Sequence, residues 1–293
     1  MTIIALLIAI ALYHFARDLV RIRNNAWLKA WVAWANNHLS RLPGWPGPTS
    51  FAILLALPLL VVVLLGWLAA DSGGAIGYFV FEVLILVYCL GPRSFEPDVM
   101  AIIDAKTDGE KRDAAVHIIS EGLSDDDTEA DKQLTRAVFQ QALRRAFAII
   151  FWFAVLGVTG AILYRLAYWL VEDVEHLSER QRILFWRLRE VMEWPVAQLM
   201  TLALAIAADF DSVFSAWRRF HKEQGHSLFE GDNGFLLAAA CQVVHSGHAA
   251  MDGFADQFGG RGACVALAGD MVWRMLGVWL TVMALLLLTG WIA

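Results

Sequence analysis

Cysteine is scarce in this chain: Cys89, Cys241 and Cys264 are the only three in 293 residues. They form no C-x-x-C pair and no dense framework, which excludes a disulfide scaffold. A basic surplus is also missing. Lys and Arg total 23 against 29 Asp and Glu, a net charge of −6 with no long basic stripe, so nucleic acid is not an expected partner. No P-loop, G-x-G-x-x-G, G-x-S-x-G or HExxH occurs, and no motif calls for a cofactor. GGRG, residues 259–262, reads as a loop rather than a phosphate cradle. No stretch alternates with a strand period for long and no repeat emerges, which leaves an all-α architecture.

Apolar surface is what the chain has in quantity. Hydrophobic residues make up 58% of it, with 13 Trp and a mean hydropathy of +0.54. A soluble domain is typically about 45–50% apolar, so the first inference is an integral membrane protein whose partner is the lipid bilayer. A hydrocarbon core of roughly 30 Å needs about 20 helical residues. Phe51–Ala70, Ala75–Leu90, Ala146–Val171 and Met275–Ala293 meet that need. Residues 2–13 have the length of a signal h-region. No basic residue precedes them and no small-residue cleavage site follows before HFARDLVRIR, so the run is expected to be retained.

These segments divide the chain into six parts. Residues 1–50 form an amphipathic, interfacial arm. Within it Trp27, Trp31 and Trp34 recur on one helix face, and Arg21, Arg23, Lys29 and Arg41 suit a headgroup position. PGWPGP at 43–48 breaks that helix. Residues 51–92 form a transmembrane hairpin turned by DSGG at 71–74. Residues 93–145 carry 12 acidic and 8 basic side chains and are expected to be cytoplasmic. There DDDTEADKQL, 125–134, places acids at the positive end of a helix dipole. Residues 146–171 form a re-entrant or spanning hairpin, residues 172–274 a second cytoplasmic helical region, and 275–293 a C-terminal transmembrane helix. Within 172–274 the largely apolar 14-residue stretch 195–208 is expected to be a short buried or interfacial helix begun by Pro195.

The segment 146–171 decides the topology. A single crossing would move the nine Lys and Arg between 172 and 274 away from the 13 in residues 1–145. A turn at Leu156–Gly160 keeps them on one side, as the positive-inside rule favours. Glycines at 157 and 160 permit unusual backbone angles and close packing of two half-helices. Arg165 would then snorkel toward the surface from the return limb. The expected fold class is therefore an all-α integral membrane protein of helical hairpins, one re-entrant, with a cytoplasmic helical region.

Several polar residues are candidate site residues. Glu82 lies mid-span, where an acid is costly; it is either functional or a structural glutamate hydrogen-bonded between helices. Cys241, His245, His248 and Asp252 share one helix face. They are suitable zinc donors, but ligands spread along about 16 Å of helix cannot all reach one ion, so no metal site is assigned. Asp125, Asp126 and Asp127 lack the register of an EF-hand loop. Asp209 and Asp211 are candidates, as paired carboxylates, to bind a cation, but their i,i+2 spacing turns them to different helix faces and favours capping and salt bridges to Arg218 or Arg219. Arg144, Arg145 and Arg165 flank the hairpin and are candidates either to attract an anionic ligand or to anchor the hairpin at headgroups.

Taken together, ALRRAFAIIFWFAVLGVTGAILYRL (142–166), EVMEWPVAQLMTLALAIA (190–207), ADFDSVFSAW (208–217) and, more loosely, residues 90–114 resemble the AmpE family of inner-membrane proteins. That family belongs to the CobD/CbiB superfamily. The resemblance implies a multi-pass protein of the bacterial inner membrane. It also implies a regulatory role in β-lactamase induction and cell-wall-recycling signalling, with a recycling regulator or a muropeptide-type ligand as partner. The alternative it raises is a divergent membrane enzyme related to adenosylcobinamide-phosphate synthase. In those synthases a Glu-Asn-Thr-Ser-Asp-Gly stretch shortly precedes the Phe-Trp of the hairpin. The positions counted back from Phe151–Trp152 are Gln140, Gln141, Ala142, Leu143, Arg144 and Arg145, so the carboxylates are absent. The synthases' Trp-x-Pro-Ala-Arg-Leu is also altered: Trp194 is followed directly by Pro195, and Gln198 stands at the arginine. Polar groups left to such an enzyme include Glu82, Glu193 and Asp209.

Overall fold

The computed structural model describes residues 2–15, 25–90, 95–105, 107–115, 119, 122–172, 174–175, 177–224, 233–246 and 263–289. Arg21, Arg23, His248, Asp252 and residues 259–262 lie outside the described residues. In chain order the elements are α1 (Thr2–Phe15), α2 (Ala26–Leu39), α3 (Pro48–Cys89), α4 (Phe95–Ile103), α5 (Asp108–Ala115) and α6 (Asp127–Ala142). A π-helical turn (Leu143–Phe147) follows, then α7 (Ala148–Glu172), α8 (Glu179–Ala207), α9 (Phe210–Gln224), α10 (Gly234–His245) and α11 (Ala263–Leu288). The described residues contain no strand. Among the described residues four stretches are long and apolar enough to cross a membrane: Pro48–Cys89, Asp127–Glu172, Glu179–Ala207 and Ala263–Leu286. The chain is an all-α membrane protein.

Contacts divide it into two units. One comprises Met1–Pro92, Ala148–Met192 and Ile292–Ala293; the other comprises Arg93–Phe147 and Glu193–Trp291.

In the first unit, α3 has 42 residues, which as a straight rod would measure about 63 Å, twice a bilayer core. It doubles back at Gly74, where φ is +60°. A Cβ on Gly66 would lie 3.1 Å from the Phe81 ring, and one on Gly77 would meet the Ala69 carbonyl oxygen. Only glycine allows so close an approach of the two limbs. Helix α7 repeats the device at Gly157, with φ at +64°. A Cβ on Gly160 would meet the carbonyl oxygen of Trp152, a residue about 12 Å away along an unbroken helix. The chain therefore folds back within α7.

Side-chain contacts gather the element ends. Gln181 Nε2 donates to Asn36 Oδ1 at 3.2 Å, and Phe51 meets Phe185 with centroids 5.2 Å apart, so the start of α8 lies beside α2 and the start of α3. Trp27 Nε1 donates to the Tyr88 hydroxyl at 2.8 Å, and Tyr88 packs edge-on against Trp169 at 5.4 Å. The returning ends of both hairpins thus reach the same end of the unit. On α2, Trp31 stacks on Trp34 at 5.4 Å, while Trp27 and Trp34 remain exposed, as expected for a shared aromatic face.

In the second unit, α6 starts after Asp126, with Asp127 and Glu129 in its first turn, where acids complement the dipole. Phe147 packs edge-on against Trp279 of α11 at 5.1 Å, and Gly269 approaches Val99 of α4.

Two expected boundaries are corrected. Pro195 does not begin a short helix but sits inside α8, which starts at Glu179. The preceding residues 179–194, although charged, bury Gln181, Phe185, Arg189, Met192 and Glu193, and that packing carries the helix through the one amide hydrogen bond a proline removes. Helix α11 starts at Ala263 rather than Met275. Asp270 and Arg274 pair at i,i+4 with 2.7 Å between Oδ2 and Nε, so the charges that seemed to end the apolar run compensate each other within the helix.

Candidate functional site

Arg144 occupies the π-helical turn Leu143–Phe147, a geometry frequent at functional sites. Its Nε lies 3.3 Å from Oε1 of Glu193. Asn233, at the start of α10, donates from Nδ2 to the other oxygen, Oε2, at 3.0 Å. Glu193 is 1% exposed. Three segments remote in sequence thus hold one carboxylate in the interior of the second unit. A buried carboxylate is tolerated only when paired and hydrogen-bonded, and both conditions hold here. Among the described residues the Asn233 side-chain oxygen has no hydrogen-bond partner.

Other residues singled out in the sequence have different placements. Arg145 and Trp194 are half-buried in the same unit. Gln198 lines a cleft of about 210 Å³ between α8 and the aromatic face of α9, with Thr201, Phe210, Phe214 and Trp217. Asp209 caps α9: its Oδ2 accepts the Ser212 N–H at 2.8 Å, as an N-cap should. Asp211 stands exposed in the first turn. Arg218 lies over the Phe214 ring, 4.7 Å from its centroid, and Arg219 Nη2 donates to Gln242 Oε1 at 3.2 Å.

Glu82 and Arg165 belong to the first unit, and both are buried. Arg165 does not snorkel. It is 2% exposed, with its guanidinium carbon 5.1 Å and 5.0 Å from the Tyr168 and Trp169 ring centroids. The negative ring faces attract the cation and hold it inside. Among the described residues its Nε and Nη1 find no hydrogen-bond acceptor.

Cys241 and His245 sit one turn apart on α10, and His248 lies outside the described residues. Among the described residues no group of three His, Cys, Asp or Glu side chains is placed to hold a metal ion. Burial pushes the Cys241 thiol up; the Arg136 guanidinium and the Lys132 ammonium act the other way without overcoming it.

Glu193 entered the sequence reading only as one residual polar group among several, and Asn233 did not enter it. The sole signal was an acid inside the EVMEWP stretch, and nothing local links it to residue 144 or 233.

No family model matches the chain and no solved structure does. Among curated proteins, it is 30% identical over 254 residues to the cobalamin biosynthesis protein CobD of Stutzerimonas stutzeri, with 80% of each chain covered. It is 25% identical over 209 residues to the protein of the same name from Chromobacterium violaceum, covering 69% of this chain and 65% of that one. These relatives overturn the expected role in β-lactamase induction and cell-wall-recycling signalling, since both are named for cobalamin biosynthesis. Of the two family names that the sequence resemblance joined, the one carried by the relatives stands: the chain belongs to the CobD family.

Proposed function

We propose that the protein is a membrane enzyme of cobalamin biosynthesis, divergent from but related to adenosylcobinamide-phosphate synthase, in the bacterial inner membrane. The observation that carries this reading is the 30% identity with a cobalamin biosynthesis protein across 80% of both chains. The ends of both hairpins and the start of α8 face the cytoplasm in this reading, in keeping with the positive-inside rule.

The missing carboxylates at Gln140–Arg145 are the obstacle to that reading, and the Glu193 cluster bears on it. Glu193 comes from α8 but stands beside Arg144, so an acid reaches one of the positions where the synthase pattern expects acids. Glu193 is enclosed, so its part is to hold Arg144 in place, and the partly exposed guanidinium of Arg144 can stabilise negative charge developing nearby. The test is complementation of a strain that lacks its cobinamide-phosphate synthase. Cobalamin-dependent growth restored by the chain, and lost in Glu193→Gln at equal membrane abundance, supports both the activity and the site. Absence of growth with the intact, abundant protein overturns the proposal.

A further inference from the structure

The second unit holds another polar cavity that the Glu193 cluster does not use. Helices α6, α9 and α10 wall a pocket of about 480 Å³. Lys132 and Arg136 enter it from α6, Arg219 from α9, and Gln242 and His245 from α10. Lys132 and Arg136 share a face because four residues separate them. One carboxylate, Glu129, serves both: Oε2 lies 3.3 Å from Lys132 Nζ and Oε1 lies 3.3 Å from Arg136 Nη1. Arg219 is held by a neutral group, the Gln242 amide oxygen. His245 Nδ1 donates to the Cys241 carbonyl at 3.0 Å, which makes Nε2 of the neutral ring an acceptor.

Three cations line this one pocket and, among the described residues, one carboxylate pairs with two of them, which leaves two positive charges in excess. No carboxylate is among the described residues that line the cavity. Like charges converging from separate helices repel, and a bound anion removes that repulsion. The donors suit phosphate in particular, because guanidinium forks match its oxygens and the Gln242 amide nitrogen can complete the shell. A carboxylate ligand would cancel only one charge, whereas a phosphomonoester carries roughly −1.5 to −2 at pH 7.

We propose that this pocket is a phosphate-binding site that takes a phosphomonoester, carried either by a soluble molecule or by a lipid headgroup. The assignment does not depend on the synthase reading, and its test uses no activity.

The full-length protein is reconstituted in phosphatidylcholine nanodiscs and titrated calorimetrically with inorganic phosphate, and its melting temperature is compared in discs with and without phosphatidic acid. Arg136→Gln and Arg219→Gln each weaken phosphate binding roughly tenfold or more, as loss of a charged hydrogen-bond donor does. Glu129→Gln removes the competing carboxylate and tightens binding several-fold, a gain that a misfolded variant cannot produce. Phosphate heat in neutral discs assigns the soluble source. Stabilisation by phosphatidic acid alone, abolished by Arg136→Gln and Arg219→Gln, assigns the headgroup. Response to neither probe, binding indifferent to both arginine variants, or weaker binding in Glu129→Gln overturns the site.

Discussion

Arg144 and Glu193 meet as an ion pair, 3.3 Å from Nε to Oε1, with the carboxylate sealed from solvent. Removing one partner of such a pair leaves the other buried without compensation, a loss on the order of 3 kcal/mol. Glu193→Ala should therefore lower the unfolding free energy by about that amount. The double variant Arg144→Met with Glu193→Leu should recover most of it, because an apolar pair of similar volume requires no desolvation of charge. Denaturant unfolding of the detergent-purified protein measures both. Losses that simply add would show that the two residues do not act as a pair.

The hairpin glycines are separable by cause. Gly74 and Gly157 have positive φ, with ψ of −147° and −152°, and open space around them, so alanine at either should cost about 1–3 kcal/mol through the backbone alone. Gly160 is crowded by the Trp152 carbonyl, and Gly160→Leu should cost about 1–3 kcal/mol or more through overpacking. Gly73, with open space and no such φ, should accept alanine without loss. Melting temperatures of the four variants test the ordering.

Because Gln181 bonds to Asn36, single cysteines at Lys29 and Ser178 should be labelled by an impermeant maleimide from the same side of the membrane. Labelling of intact cells, with the native cysteines replaced by serine, reads this directly. Labelling from opposite sides would exclude a re-entrant α7.

Cys241 has its thiol pushed up by burial. A raised pKa keeps the thiol protonated at pH values where an ordinary cysteine is already partly thiolate, and the thiolate is the reactive form. With Cys89 and Cys264 replaced by serine, iodoacetamide should react slowly with Cys241 near pH 8.5 and faster only at more alkaline pH. A rate at pH 8.5 equal to that of a free thiol would contradict this.

Local chemistry made part of this structure legible. DSGG between two apolar spans pointed to the turn in α3, Gly157 and Gly160 pointed to the one in α7, and acids ahead of a helix pointed to the start of α6. Pro195 misled because proline's preference for the first turn is local, whereas burial of residues such as Phe185 and Arg189 on α8 is tertiary. The Glu193 cluster was hidden for the same reason. Its members at 144, 193 and 233 belong to three separate helical segments, and no periodicity relates one segment to another. The basic pocket is likewise invisible in a chain with net negative charge, since Lys132, Arg136 and Arg219 gather only when α6, α9 and α10 pack.

The π-helical turn at Leu143–Phe147 also bears on how relatives are compared. Winding with i→i+5 hydrogen bonds takes in one residue more than an α-turn, so side-chain facing upstream of it is offset by one position from facing downstream. Numbering backward from Phe151–Trp152 matches ordinal positions but not directions in space. Set against an uninterrupted helix, homologous columns before Leu143 fall into register only when a single-residue gap is opened in the other chain.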